Sequence, residues 1–411
     1  MHRRGRSICA LGAGVAALFS ALDDPAAAAT LTVTNNADAG PGSLRAEIAA
    51  AGSGDTIIFD PGLGAIALTS GALSPFVNLT IDGSSGTGVS ITNATDRAFD
   101  FGAPGLTAIT LKSLTLSGTS TDSNVGGAVR SDVGTGNFAL TIDNCTLTGS
   151  QITTAGGAFG SQADDTVTIT NSTLDNSVAA SGGALFLSAG AITIAQSAIT
   201  GNTGSLAGGA ILQSGGSLTL TNVTIANNNS NSFAGGIVLL AGTLSATNVT
   251  VSGNAVTSGA GGILQQNGIL TLVNSIVAGN TAGGPSDLTS DAGSLTATND
   301  LFQATPIGGP VNGVNGVIIG ANPQLGPLAN NGGPTETEVI GAGSPAIDAG
   351  DAAACPAVDQ RGDPRPATCS LGAFEPAFTP TPVPTLSAWA ALALAALMGA
   401  AGLAGLGRRR A

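Results

Sequence analysis

The chain has 411 residues, with 9% charged, 3% aromatic, 62 glycines and a formal charge of −13. Six of its twelve basic residues (Arg3, Arg4, Arg6, Arg408, Arg409 and Arg410) lie at the two ends. Residues 30–407 therefore carry 23 acids against 6 bases, which repels nucleic acid phosphates. The single histidine is His2, and tyrosine is absent, which removes imidazole-based nucleophilic catalysis and histidine-ligated zinc or iron from the body of the protein.

Residues 1–29 have the pattern of a signal peptide. Arg3, Arg4 and Arg6 supply the positive start, Ile8 to Leu22 a short apolar stretch, and Ala27-Ala28-Ala29 a small-residue cleavage site. Residues 30–60 are expected to form an N-terminal cap. There Leu44 and Ile48 share a helical face behind Ser43, a good N-cap residue, so a short helix should cover the first turn of whatever follows.

Residues 61–320 repeat, with weaker echoes from about Ile57 and as far as Ile319. Glycine pairs at 126–127, 156–157, 182–183, 208–209, 235–236 and 261–262 advance by about 26 residues. Asn144, Asn171, Gln196, Asn222, Asn248 and Asn274 keep the same step, as do Asn202, Asn228, Asn254 and Asn280. Within a repeat, Leu218-Thr219-Leu220-Thr221 alternates with period two, as a half-buried strand does. Three inward columns are expected. They are Ile142, Ile169, Ile194, Leu220, Ala246, Leu272; then Leu147, Leu174, Ile199, Ile225, Val251, Val277; then Val129, Phe159, Leu185, Ile211, Val238, Leu264.

Three short converging strands per repeat make one coil of a right-handed parallel β-helix, so the fold class is all-β, a solenoid of roughly ten coils. At about 4.8 Å per coil the rod would be about 48 Å long. Asn144, Asn171, Asn222, Asn248 and Asn274 should take the left-handed bend and stack their amides from coil to coil as an asparagine ladder.

Charged candidates for chemistry gather early in the repeat: Asp96, Arg97, Asp100, Asp122, Arg130, Asp132, Asp164 and Asp165. Two carboxyls from neighbouring coils could serve glycoside hydrolysis, yet no spacing imposes that arrangement, and solvated charges at turns explain them equally. Asp132, Asp164 and Asp165 leave room for structural calcium, without any Asp-x-Asp-x-Asp-Gly loop to hold it. No cofactor or other metal is expected. The outward column Thr141, Thr168, Thr193, Thr219, Ser245, Thr271 is nearly pure hydroxyl, while its neighbour Asp143, Thr170, Ala195, Thr221, Thr247, Val273 is mixed. That contrast favours an ordinary solvated strand face.

Residues 321–376 form a separate C-terminal segment. Cys9 leaves with the signal, and Cys355 and Cys369 are expected to form a disulfide in an oxidising compartment, with Cys145 a small buried thiol. Residues 377–387 are a proline- and threonine-rich linker and 388–411 an apolar tail. Trp389 to Gly407 is 19 residues without a charge, long enough to span a bilayer, followed by Arg408-Arg409-Arg410 on the cytoplasmic side.

Three stretches resemble known modules. Val383-Pro384-Thr385-Leu386-Ser387-Ala388-Trp389, with the apolar run and terminal arginines, resembles the IPTL-CTERM sorting signal, although Val383 and Ala388 replace the usual Ile and Glu. The resemblance implies a Gram-negative cell envelope, transient inner-membrane anchoring, and an exosortase-type membrane enzyme as processing partner. The Ser43–Ile48 region with its flanking strands resembles the CSLREAI segment, with Gly42 at the nominal Cys. Residues 322–375 resemble the choice-of-anchor Q domain through Asn331-Gly332-Gly333-Pro334-Thr335, Ser344-Pro345-Ala346-Ile347-Asp348 and Asp359-Gln360-Arg361-Gly362. Glu338 or Val339 stands there in place of a common histidine.

The expectation is an exported, monomeric, non-enzymatic surface protein with a structural or adhesin-like role toward surface glycans or another cell-surface partner. The alternative is a carboxylate-dependent polysaccharide lyase or glycoside hydrolase.

Overall fold

The computed structural model describes residues 27–377 except 87, 135 and 284–286. The sorting residues Val383, Pro384, Thr385, Leu386, Ser387, Trp389, Arg408, Arg409 and Arg410 lie outside the described residues, as does most of the expected signal peptide.

The body is a parallel β-helix of about ten turns. Its first sheet face begins at Thr30–Val33, passes through Asp55–Phe59 and Leu79–Asp82, and ends at Ser294–Thr298. Pairing is parallel and largely in register. The central outward column runs Thr30, Thr56, Thr80, Thr110, Thr141, Thr168, Thr193, Thr219, Ser245, Thr271, Thr296. Period-two alternation places Ile142, Ile169, Ile194, Leu220 and Leu272 inward, each essentially inaccessible to solvent. After each bend a second short strand buries Leu147, Leu174, Ile199, Ile225, Val251 and Val277 in one column.

The third face is an eight-stranded parallel sheet running from Phe99–Phe101 through Val129–Ser131 and Phe159–Ser161 to Leu288–Ser290. Here one expected column is corrected. Ile211 pairs with Ile237 and Ile237 with Ile263, so Val238 and Leu264 stand in the outward column. The glycine pair slips by one residue: Gly208-Gly209-Ala210 precedes Ile211, while Ala234-Gly235-Gly236 precedes Ile237. A one-residue offset exchanges the two faces of a strand.

The N-terminal helix spans Leu44–Ala50, with the Ser43 side chain accepting from the Ala46 N–H and with Leu44 and Ile48 buried in the main core. Arg45 ties it down through Asp38 and the carbonyls of Gly71 and Ala72.

The bend residues Asn144, Asn171, Gln196, Asn222, Asn248, Asn274 and Asn299 all have φ near 50°. Their side chains do not form the expected continuous ladder: the early ones bond to the neighbouring coil, and from Asn222 onward they turn mainly to the C-terminal segment. Asn144 donates to Ser113 and Asn171 to Asp143. Asn222 donates to the Val358 carbonyl at 2.8 Å, Asn248 to Ser370 at 3.0 Å, and Asn299 to Ala349 at 2.8 Å. Asn274 keeps a 3.4 Å contact to Asn248 but also exchanges hydrogen bonds with Asp351.

Residues beyond 321 thus fold back along the bend corner of the solenoid. The ladder lies at the next corner: Asn202 donates to Asn228, Asn228 to Asn254 and Asn254 to Asn280, at 2.9, 2.9 and 3.0 Å. All four are buried, so their amides have no water to turn to and must satisfy one another.

Cys355 and Cys369 form a disulfide inside the C-terminal segment. Cys145 is a free, buried thiol, and burial pushes it up to about 12. Among the described residues no helix is long and apolar enough to cross a membrane.

Candidate functional site

The outward column of the eight-stranded sheet changes character along the rod. It reads Asp100, Arg130, Gly160, Phe186, Leu212, Val238, Leu264, Thr289. Charge occupies its N-terminal end and apolar groups its C-terminal half.

At the charged end the fold brings together six of the eight charged candidates. Arg97, almost fully buried, donates from Nη2 to both Asp122 oxygens at 2.8 and 3.0 Å and lies 3.5 Å from Asp100 and 3.7 Å from Asp96. Asp100 also receives Arg130 Nε at 2.8 Å, and Arg130 reaches Asp132 at 3.5 Å. Burial works against ionisation of Asp122, but hydrogen bonds from Arg97 and Asn124 outweigh it and hold that carboxyl at about 2. Asp132 moves the other way, raised first by burial and then by the like charges of Asp165 and Asp100, with Arg130 opposing.

Asp164 is exposed and outside this network. Asp165 is buried and accepts from Ser131 Oγ at 2.7 Å and from the Val133 and Gly134 N–H groups. Both arginines are therefore committed to carboxylates, and Asp165 pins a turn. Among the described residues no group of three or more metal-ligating side chains is placed to hold an ion.

At the apolar end, sequence reasoning missed a feature. The connecting segments Asn229–Ala234 and Ala255–Ala260 overhang the outer face of the sheet and, with it, enclose an open groove of about 370 Å³. Leu264 forms its floor, Phe233 a wall, and Ser232, Ser258, Gly259, Ala260, Thr289 and Asp291 line the rest. Beneath it Ala207, Leu212, Ala234, Val238, Ala260 and Leu264 form a small apolar cluster outside the solenoid core, with Phe186 and Leu240 against it.

Phe233 is 39% exposed and has φ of +68°, a conformation rarely taken by a bulky residue. Its partner on the next coil is Gly259, where any Cβ would run into the Phe233 carbonyl. On the preceding coil Leu206 is 61% exposed in the equivalent connecting segment. The sequence signal was available: Phe233 is one of only 12 phenylalanines and stands two residues before a glycine pair, as Leu206 does one repeat earlier.

Family comparison agrees with the fold. The model for the right handed beta helix region matches residues 128–302, and that for the IPTL-CTERM motif matches residues 381–410. The chain thus carries a right-handed β-helix region and a C-terminal IPTL-CTERM motif. The motif marks it for export and surface association. No curated protein sequence matches the chain. Among solved structures, the crystal structure of pectate lyase Pel9A is similar, with a TM-score of 0.48 and 16% identity over 84% of this chain and 96% of that chain.

Proposed function

We propose that this β-helix is a non-enzymatic, adhesin-like module displayed on the envelope of a Gram-negative bacterium. On this reading an exosortase-type enzyme at the inner membrane processes the tail, and the long flank of the rod meets a surface glycan or another cell-surface partner. The groove walled by Phe233 carries this reading, because an exposed aromatic beside apolar and hydroxyl groups costs solvation unless something covers it.

The lyase or hydrolase alternative draws on Asp132, whose raised proton affinity beside Arg130 suits an acid. Against it, both Arg97 and Arg130 are occupied by carboxylates, and a base of that kind would have to break an ion pair to act.

The test uses the full-length protein and a panel of neutral and acidic polysaccharides. It records retention on each polymer and release of new reducing or unsaturated ends. Retention without product is expected. Product that disappears in Asp132→Asn would overturn the non-enzymatic role.

A further inference from the structure

From the chemistry of the groove we infer that its ligand is a neutral glycan chain, whose sugar ring stacks on Phe233 while its hydroxyls bond to Ser232, Ser258, Thr289 and Asp291. The inference rests on the binding role proposed above and deepens it by naming the ligand class.

Three observations select that class. First, the lining combines an aromatic plate and an apolar floor, Phe233 and Leu264, with three hydroxyls and one carboxylate at the rim. A pyranose ring presents the matching pair of surfaces, an apolar C–H face and an equatorial belt of hydroxyls. Aromatic rings take the first and short polar side chains the second.

Second, the charge has one sign. Among the described residues, Asp291 is the only charged one lining the groove, and the body around it is strongly acidic. A uronate, sulfated or phosphate-bearing chain would find no cation there to replace its hydration, and would meet like charge.

Third, the floor offers no free backbone. Ile263–Gln265 is paired on one side with Ile237–Leu239 and on the other with Leu288–Ser290, so a peptide cannot add itself as a further strand. Recognition is left to side chains. Phe233 supplies the largest of them, held outward by its left-handed backbone against Gly259.

Isothermal titration of the full-length protein in detergent tests this with four probes. They are a β-1,4-linked glucose hexasaccharide, an N-acetylglucosamine hexasaccharide, a galacturonate hexasaccharide and a lysine-rich hexapeptide. Binding of a neutral hexasaccharide is expected, weakened roughly tenfold or more in Phe233→Ala and restored in Phe233→Trp. Asp291→Asn should weaken the neutral sugar only modestly and improve tolerance of the galacturonate chain.

Preferential binding of the galacturonate chain or of the peptide would overturn the ligand class. Neutral binding that is indifferent to both Phe233 variants would overturn the site. If all four probes fail while the protein still adheres to cells through a Phe233-dependent contact, the ligand class fails and the broader binding role stands. Loss of that contact as well would remove both.

Discussion

Asn280 donates its side-chain N–H to Asp287 Oδ1 at 3.0 Å and so ends the ladder that begins at Asn202. Each amide in the column both receives from the coil before it and donates to the coil after it. A carboxylate is a fitting last acceptor, since it has no hydrogen of its own to place. Burial raises the Asp287 carboxyl, while the Ala304 N–H and Asn280 act the other way.

Removing one rung should therefore be costly. Asn254 Oδ1 accepts from both the backbone and the side chain of Asn228, and its own amide serves Ile225 and Asn280. Asn254→Ala leaves these groups buried without partners, and a loss of about 2–4 kcal/mol is expected from denaturant melts. Asn171→Gly, at a bend with φ of 51°, should change stability by no more than about 0.5 kcal/mol, because glycine accepts that conformation freely. Equal costs at the two positions would show that the buried column is not the stabilising ladder.

A second column of acceptors ends in a pH-sensitive group. The Cys145 N–H donates to Ser172, that of Ser172 to Ser197, and that of Val249 to Ser275, each to a hydroxyl. At the last coil Ser275 donates instead to Asp300 at 2.7 Å. Burial pushes the Asp300 carboxyl up to about 8, with the Ser275 and Thr298 N–H groups only partly offsetting it.

The folded state thus holds a proton that the unfolded chain releases near pH 3.8. Stability from this group is complete below that pH and is lost as pH rises toward 8, at about 1.4 kcal/mol per pH unit at most. Asp287 and Glu338 shift in the same direction, both through burial. Asp122 acts oppositely, and its contribution is lost as pH falls from about 4 toward 2. Thermal melts across pH 3–9 should peak near pH 4–5. Asp300→Ser, which restores the hydroxyl of the earlier coils, should flatten the alkaline limb, and an unchanged limb would refute the assignment.

How much of this was legible in the sequence follows from which signals are periodic. Thr141, Thr168, Thr193 and Thr219 recur at nearly constant spacing and report register directly. The glycine pair is a weaker ruler, because either Ala210 or Gly236 fits before the strand, and so the slip that turned Val238 and Leu264 outward escaped notice. The asparagine assignment failed for a different reason. A bend residue and a ladder residue share one letter and one step; Asn248 and Asn254 are both buried and differ only in the left-handed backbone of Asn248 and in their partners. At Asn222, Asn248, Asn274 and Asn299 the partners lie 50 to 143 residues away, beyond the reach of a local pattern. The groove escaped for a related reason, since it joins a few residues from each of three coils.

The C-terminal segment should depend on its disulfide. Cys355 and Cys369 close a loop of 14 residues within the stretch that bonds to Asn248 and Asn274. In the chain-entropy model such a loop contributes about 3 kcal/mol. Cys355→Ser with Cys369→Ser should expose residues 350–375 to proteolysis under native conditions, leaving the β-helix body intact by circular dichroism. Resistance equal to that of the parent would mean that the hydrogen bonds to the bends suffice.

The tail should separate from the body in function as it does in chain order. Before it begins, Glu375 is closed in by Arg365 at 2.7 Å, by two bonds from Ser370, and by its own N–H on Asp359. These contacts lie entirely within residues 359–375, so removing 381–411 breaks none of them. Trp389 to Gly407 is uncharged and long enough to cross a bilayer, whereas the described body has no such helix. Deleting 381–411 should therefore move the protein from the envelope fraction to the medium with an unchanged melting temperature, as read by fractionation and immunoblot. Replacing Arg408, Arg409 and Arg410 with Gln should instead impair sorting while leaving the apolar segment in the membrane, because those charges fix its orientation. A truncated protein that stayed cell-bound through the groove would be released by Phe233→Ala in the same background, which separates anchoring by the tail from adhesion by the rod.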